Sequence, residues 1–221
     1  MERHFHEDLK DLKQKLLRMG LLVEETIDKA IQALRKRDNV LANQVIAGDQ
    51  VINQLEIEID DSGHSLLALG QPMAVDLRII TSILKINTDL ERMGDHAVNI
   101  AERTLSILKD PPIKESIHLP EMAQSAQSMV KDALDSFVAG DVELARSVLR
   151  RDDEVDAYND EVNAKVERLM ENNPEIVRTG MSHIIIAHNL ERIADLANNI
   201  AEDVIYMKQG KEVRHHIENK E

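Results

Sequence analysis

Two stretches of this chain, one hundred positions apart, carry the same side chains capable of holding a cation. Leu90-Glu91-Arg92-Met93-Gly94-Asp95-His96-Ala97-Val98-Asn99-Ile100-Ala101-Glu102 recurs as Leu190-Glu191-Arg192-Ile193-Ala194-Asp195-Leu196-Ala197-Asn198-Asn199-Ile200-Ala201-Glu202, with nine positions identical. Each copy sets Glu, Asp, Asn and Glu at spacings of four, four and three, which confines them to about 80° of a helix surface. Arg92, His96 and Arg103 fall on a separate strip beyond that stripe. Carboxylates four apart on a helix repel by a few tenths of a kcal/mol each, so a neighbour of opposite sign is called for. Oxygen-rich sets of this kind suit hard or borderline cations such as Mg, Mn, Fe or Zn. The competing reading is a solvated polar face tied up in hydrogen bonds and salt bridges.

The helix before each block adds further acids. In an antiparallel hairpin turning near residue 71, Asp49 lies level with Glu91 to Asp95. By the same count around residue 173, Asp152 and Asp156 lie level with Glu191 to Asp195. The candidate metal clusters are therefore Asp49, Asn53, Glu91, Asp95 and Asn99 in the first half, and Asp152, Asp156, Glu191, Asp195 and Asn199 in the second.

Other chemistries find no support. A di-iron carboxylate bundle needs Glu-x-x-His on facing helices, and Glu115-Ser116-Ile117-His118 sits among prolines. There is no Gly-rich phosphate loop, His-Glu-x-x-His pair or nucleophile elbow, and no cysteine, so no enzyme activity is expected. His183 and His188 read as packing or surface residues, and the methionines as core filler.

Positioning these stripes requires long helices. Aromatic residues make up only 2% of the chain and there is no Trp, so the core must be Leu, Ile, Val, Met and Ala, as in helix-on-helix packing. Six helices are expected, three per half, in an all-α tandem repeat of two three-helix bundles. The first runs from about Phe5 to Arg37, with Asp38 capping the second. From Leu41, apolar residues step by fours and threes through Val45, Ile52, Leu55, Ile59 and Leu66 to Leu69. Gly70-Gln71-Pro72 is read as a glycine stop and a proline start. The third helix ends at Asp110-Pro111-Pro112. A fourth reaches Ala139, and Asp141 caps a fifth, with Arg151 and Lys165 occupying two of its apolar seam positions. Asn173-Pro174-Glu175 opens the sixth, which Gly210 ends. The halves are 1–110 and 121–210, joined by 111–120 and followed by a polar tail, 211–221. Asp38, Leu41, Ala42, Val45 and Asp49 recur 103 positions later as Asp141, Leu144, Ala145, Val148 and Asp152, so the second copy loses three residues before the next block, most simply at a turn.

A net charge of −14 repels nucleic acid, anionic lipid and free phosphate while favouring cations and basic protein faces. The charged N-terminus lacks a signal peptide's apolar core, and no apolar stretch approaches the roughly 18 residues of a membrane span. A cytoplasmic protein is expected.

The run Gln71-Pro72-Met73-Ala74-Val75-Asp76-Leu77-Arg78, leading into the first Leu-Glu-Arg-x-x-Asp block and followed by the second, resembles the PhoU family of phosphate-uptake regulators. The resemblance spans essentially the whole chain, with one departure: Leu196 stands where His96 stands in the first copy. It implies a homodimerising cytoplasmic negative regulator linking the ATPase subunit of a phosphate ABC transporter to a phosphate sensor histidine kinase, meeting the membrane only through those partners. It also implies multinuclear metal binding at Glu91-Asp95 and Glu191-Asp195, with Asp49-Asn53 and Asp152-Asp156 as partners. Two alternatives stand beside it: a metal-storage or scavenging protein, and a ligand-free structural adaptor.

Overall fold

The structure, a computed structural model, describes residues 2–113 (the backbone alone for 2 and 3), 115, 117–211 and 213. It contains α1 (Glu2–Lys36), α2 (Asn39–Gly70), α3 (Ala74–Ile107), α4 (Leu119–Ala139), α5 (Val142–Leu149), α6 (Asp152–Asn172) and α7 (Val177–Gln209), with a 3-10 turn at Pro174–Ile176. No strand occurs among the described residues. The histidines at 215 and 216 and most of the expected tail lie outside them.

Helix starts follow side-chain chemistry. Asp38 Oδ1 accepts from the backbone N–H groups of Val40 and Leu41 at 2.9 and 3.1 Å, and Asp141 Oδ1 does the same for Glu143 and Leu144. Each such cap is worth about 1 kcal/mol. Asn173 accepts from Glu175 N–H at 3.2 Å and opens the 3-10 turn. Gly210, at φ 65°, ends α7 with its N–H on Tyr206 O.

Four local expectations change. The expected fifth helix is two, α5 and α6, broken at Arg150 and Arg151. Arg151 would have occupied an apolar seam position. It turns instead onto α4, with Nη2 2.6 Å from Asp132 Oδ2 and Nη1 2.9 Å from Ser128 Oγ, while Lys165 is exposed. At the α2–α3 turn the left-handed residue is Gln71 (φ 44°), and α3 starts two residues after Pro72. Gly70 serves packing: a Cβ there would lie 2.6 Å from the Phe5 ring. Leu69, read as part of the apolar seam, is 83% exposed at that tip. Finally, α4 begins inside the expected connection, at Leu119, because Pro120 suits the first helical turn.

The three-residue shortening is taken up at the helix end and turn. Residues 71–73 join α2 to α3, whereas Asn173 alone separates α6 from the 3-10 turn.

α1, α2 and α3 pack together, as do α4, α5, α6 and α7, and the most extensive helix contact joins the two sets through α3 and α7. One continuous apolar core results, including Ile83, Leu90 and Met93 from α3 and Leu190, Ile193 and Val204 from α7. Lys85 meets Asp203 at 3.2 Å, His96 meets Asn189 at 2.8 Å and Ser106 meets Ser182 at 3.3 Å, so α3 and α7 run antiparallel. Since equivalent residues are one hundred apart, these contacts place a pseudo-two-fold near Met93-Gly94 and Ile193-Ala194. Arg37, past the end of α1, donates through Nη2 to the carbonyls of Ile107, Leu108 and Asp110 at 2.8, 3.0 and 2.7 Å, satisfying the C-terminus of α3.

Candidate metal centres

The second cluster closes. The break at Arg150-Arg151 makes Asp152 the first residue of α6, where free N–H groups and the helix dipole favour negative charge. Asp156 lies one turn on, and Asp195 comes from α7. One carboxylate oxygen of each lies within 4.8 Å of the others, a span that one or more cations with bonds of about 2.0–2.6 Å can bridge. Like charges this close cost on the order of 1 kcal/mol in water and more where water is excluded.

The electrostatics record that cost. Burial pushes Asp152 up to about 6, helped by Asp156 and Asp195, while a hydrogen bond from Asn198 works the other way. Burial also raises Asp156, with Glu191 and Asp195 adding to it. Asp195 is raised by burial, against the pull of Arg192, whose Nη1 lies 3.0 Å from Asp195 Oδ2. His188 stands 3.0 Å from Glu191. Among the described residues no lysine or arginine makes an ion pair with Asp152 or Asp156. Asp152 Oδ1 and Asn198 Oδ1 are buried without a hydrogen-bond partner, an expensive state unless a cation completes it. The donor set therefore fits a hard metal ion.

The first cluster is looser. Asn53 Nδ2 donates to Asp49 Oδ2 at 2.8 Å, one turn apart on α2. Asp49 Oδ1 and Asn53 Oδ1 are buried and unpartnered. Asp49 Oδ1 lies over α3, 3.7 Å from where Gly94 would carry a Cβ. Burial raises Glu91, followed by repulsion from Asp95, Glu56 and Asp49, and burial with Asp49 raises Asp95. The hairpin thus sets Asp49 level with Glu91 and Asp95 as the helix count requires. The three carboxylates do not gather within 4.8 Å as the second set does, and Asn99 is exposed on α3, with no contact to the cluster among the described interactions.

Between the repeats lies a cleft of about 360 Å³, lined by residues including Arg92, His96, Asp152, Arg192, Asp195 and Asn198. Leu196, Asn199 and Glu202 complete it. Arg92 and His96, which the helix count puts on a strip apart from their own stripe, here face the other repeat's acids. The antiparallel α3–α7 contact brings them there. Burial holds His96 below the usual histidine range.

The family model described as the PhoU domain matches residues 16–104 and again 119–204. The chain belongs to the PhoU family. An Aquifex aeolicus relative named as a phosphate-specific transport system accessory protein PhoU homolog is 40% identical over 214 residues, covering 96% of this chain and 97% of the relative. The crystal structure of PhoU from Pseudomonas aeruginosa superposes with a TM-score of 0.91 at 38% identity, covering 94% of this chain and all of that one. That of the phosphate transport system regulatory protein PhoU from Streptococcus pneumoniae gives 0.87 at 34% identity, covering 95% and 99%. The all-α tandem repeat is therefore the PhoU fold.

Within this PhoU fold, sequence reasoning missed Asn198 as a partner of Asp152, Glu56 beside Glu91, and the cross-repeat role of Arg92 and His96. The Asn198-Asn199 pair was the available signal for the first, since Val98 shows that the two copies differ there. His183 Nδ1 donates to the carbonyl of Thr179 in its own helix at 2.8 Å, as a packing histidine does. No helix among the described residues is long and apolar enough to cross a membrane.

Proposed function

We propose that this member of the PhoU family is a non-catalytic, cytoplasmic negative regulator of phosphate uptake and phosphate-regulon signalling. It acts as an adaptor, as a homodimer, between the ATPase subunit of a phosphate ABC transporter and a phosphate sensor histidine kinase. Metal ions at Asp152, Asp156 and Asp195, and more weakly at Asp49, Glu91 and Asp95, complete the fold. The observation that carries the metal half of this reading is the convergence of three carboxylates from two helices beside buried, unpartnered oxygens of Asp152 and Asn198. The regulatory half rests on relatives that match nearly all of this chain and are named as accessory proteins of phosphate transport.

Charge shapes both halves. Oxygen ligands favour Mg, Mn or Fe over softer ions, with Zn also accommodated. The chain's net charge of −14 suits basic docking faces on its partners, so association weakens as salt rises. Metal-free acidic clusters repel phosphate, and a bound cation reverses the local sign. Micromolar phosphate affinity in metal-free protein would contradict this reading.

The test is a pull-down against the ATPase subunit and the kinase over a salt series, with metal content measured on the same protein. Salt-sensitive capture of both partners with a few ions per chain supports the regulator. Many ions per chain would point to storage, and none to a ligand-free adaptor.

A further inference from the structure

In a chain where 31% of residues are charged, the exposed residues of α2 from Val40 to Ile57 carry no charge. Gln44, Ala47, Gly48 and Val51 stand at i, i+3, i+4 and i+7, so they share one side of the helix, and Val40 and Gln54 extend it in both directions. All six are exposed, Val40 by 62% and Val51 by 49%. Asp49 is the one charged residue between positions 39 and 55, and it points the other way, over α3. Gly48 has open space where a Cβ would sit. Nothing in its own chain therefore explains a glycine in mid-helix, where it costs helix stability.

The second repeat does without such a face. One hundred and three positions on, Val40, Ala47, Gly48, Gln50, Val51 and Ile57 become Glu143, Arg150, Arg151, Asp153, Glu154 and Asp160. The fold accepts charge at these positions, so a requirement other than folding keeps it off the first repeat. Two properties of the face indicate what covers it. Gln44, Gln50 and Gln54 each carry both a donor and an acceptor, so each can pair with its own copy across a two-fold axis, as a row of carboxylates cannot. Copies of a chain with net charge −14 also repel one another, so a contact that sets the same surface against itself needs a region without charge. A basic partner, by contrast, gains more from the acids elsewhere on the surface.

We infer that α2 is the self-association face, packing against α2 of a second copy across a two-fold near Ala47 and Gly48, where small side chains let the two helices approach closely. This rests on the homodimer of the proposed function and gives that dimer its surface. The Asp49 carboxylate lies on the far side of α2 from the contact, so the first cluster stays open when the dimer forms. The uncharged surface from Val40 to Ile57 spans about 26 Å of helix. A single helix face of that length falls short of the roughly 800 Å² per partner of a standard stable interface. The dimer is therefore reversible, with a dissociation constant on the order of micromolar.

Analytical ultracentrifugation of the full chain across a micromolar concentration series, at low and high salt, tests this. The parent should pass from monomer to dimer, and more readily at high salt, which screens the mutual repulsion; capture of basic partners has the opposite salt dependence. Ala47→Arg and Val51→Glu each install the residue that the second repeat already carries at the equivalent position. Both should weaken dimerisation at least about tenfold and leave the melting temperature of dilute protein near the parent's. Gly48→Ala should raise that melting temperature and still weaken the dimer, a pairing that a purely structural role would not give. A dimer indifferent to Ala47→Arg and Val51→Glu overturns this face and leaves the homodimer standing, whereas a parent that stays monomeric throughout removes both. Variants that keep the dimer but lose capture of the ATPase subunit or the kinase would give the face to that partner and overturn the inference.

Discussion

The two acidic clusters come from one duplicated pattern, yet they differ in closure. In the second repeat Asp152, Asp156 and Asp195 converge within 4.8 Å. In the first, Asn53 replaces the second helix-borne acid and satisfies one oxygen of Asp49 by itself. The backbone differs as well: α2 runs unbroken past Asp49, whereas Arg151 interrupts the matching helix and leaves Asp152 at a helix start. The packing beneath is compensated. Gly94 lies under Ile52, with a Cβ there only 3.2 Å from Ile52 Cδ1, and the second repeat has Ala194 and Val155 at the equivalent positions. One methyl group has moved from one helix to the other. Duplication fixed the side-chain types, and small local changes made one site tighter than the other.

The largest effect should come from the closed cluster. Asp152→Asn with Asp195→Asn should lower Mn affinity on the order of 100-fold, the effect of losing two charged ligands. Glu91→Gln with Asp95→Asn should cost distinctly less. Calorimetry on both variants checks the order, and equal losses would show that the clusters are equivalent. In the opposite direction, Asn53→Asp gives the first repeat its missing acid and should tighten cation binding there by about tenfold. An unchanged titration would mean that side-chain number is not what separates the sites.

The packing comparison predicts a smaller change, read by denaturant unfolding. Gly94→Ala should destabilise by about 1 kcal/mol through overpacking against Ile52, and Ile52→Val should restore most of it. Additive losses in the double variant would break the proposed exchange of one methyl group.

Asp152 should show the smallest stability effect. Its carboxyl is pushed from the ordinary 3.8 up to about 6, so across that window the unfolded chain releases a proton that the folded protein retains. The metal-free protein should therefore lose stability as pH rises from about 4 to about 6, then level off. Asp152→Asn should flatten this slope and raise the metal-free melting temperature by a degree or so, while reducing the rise that Mn gives the parent. Thermal unfolding across pH, with and without Mn, reads both, and a parent that gains stability over the same window would contradict the assigned repulsion.

Much of this was legible in the residues. The caps at Asp38 and Asp141, the stop at Gly210, and the level of Asp49 against Glu91 and Asp95 all follow from helical rise and local hydrogen bonding. The break before Asp152 was signalled by arginine at an apolar seam position, but the partners that receive Arg151, Ser128 and Asp132, lie on another helix. Gly70 looked like a stop because glycine favours left-handed turns, and only the Phe5 ring above it shows that space was the reason.

The sequence by itself determined the duplication, the helices and the acidic stripe on each repeat, because periodicity and capping act within a few residues of the chain. Tertiary structure alone decided which cluster closes and that Arg92 and His96 face the other repeat's acids. Those outcomes depend on α3 and α7 meeting antiparallel across the shared core, a contact between residues about a hundred positions apart that no local pattern specifies.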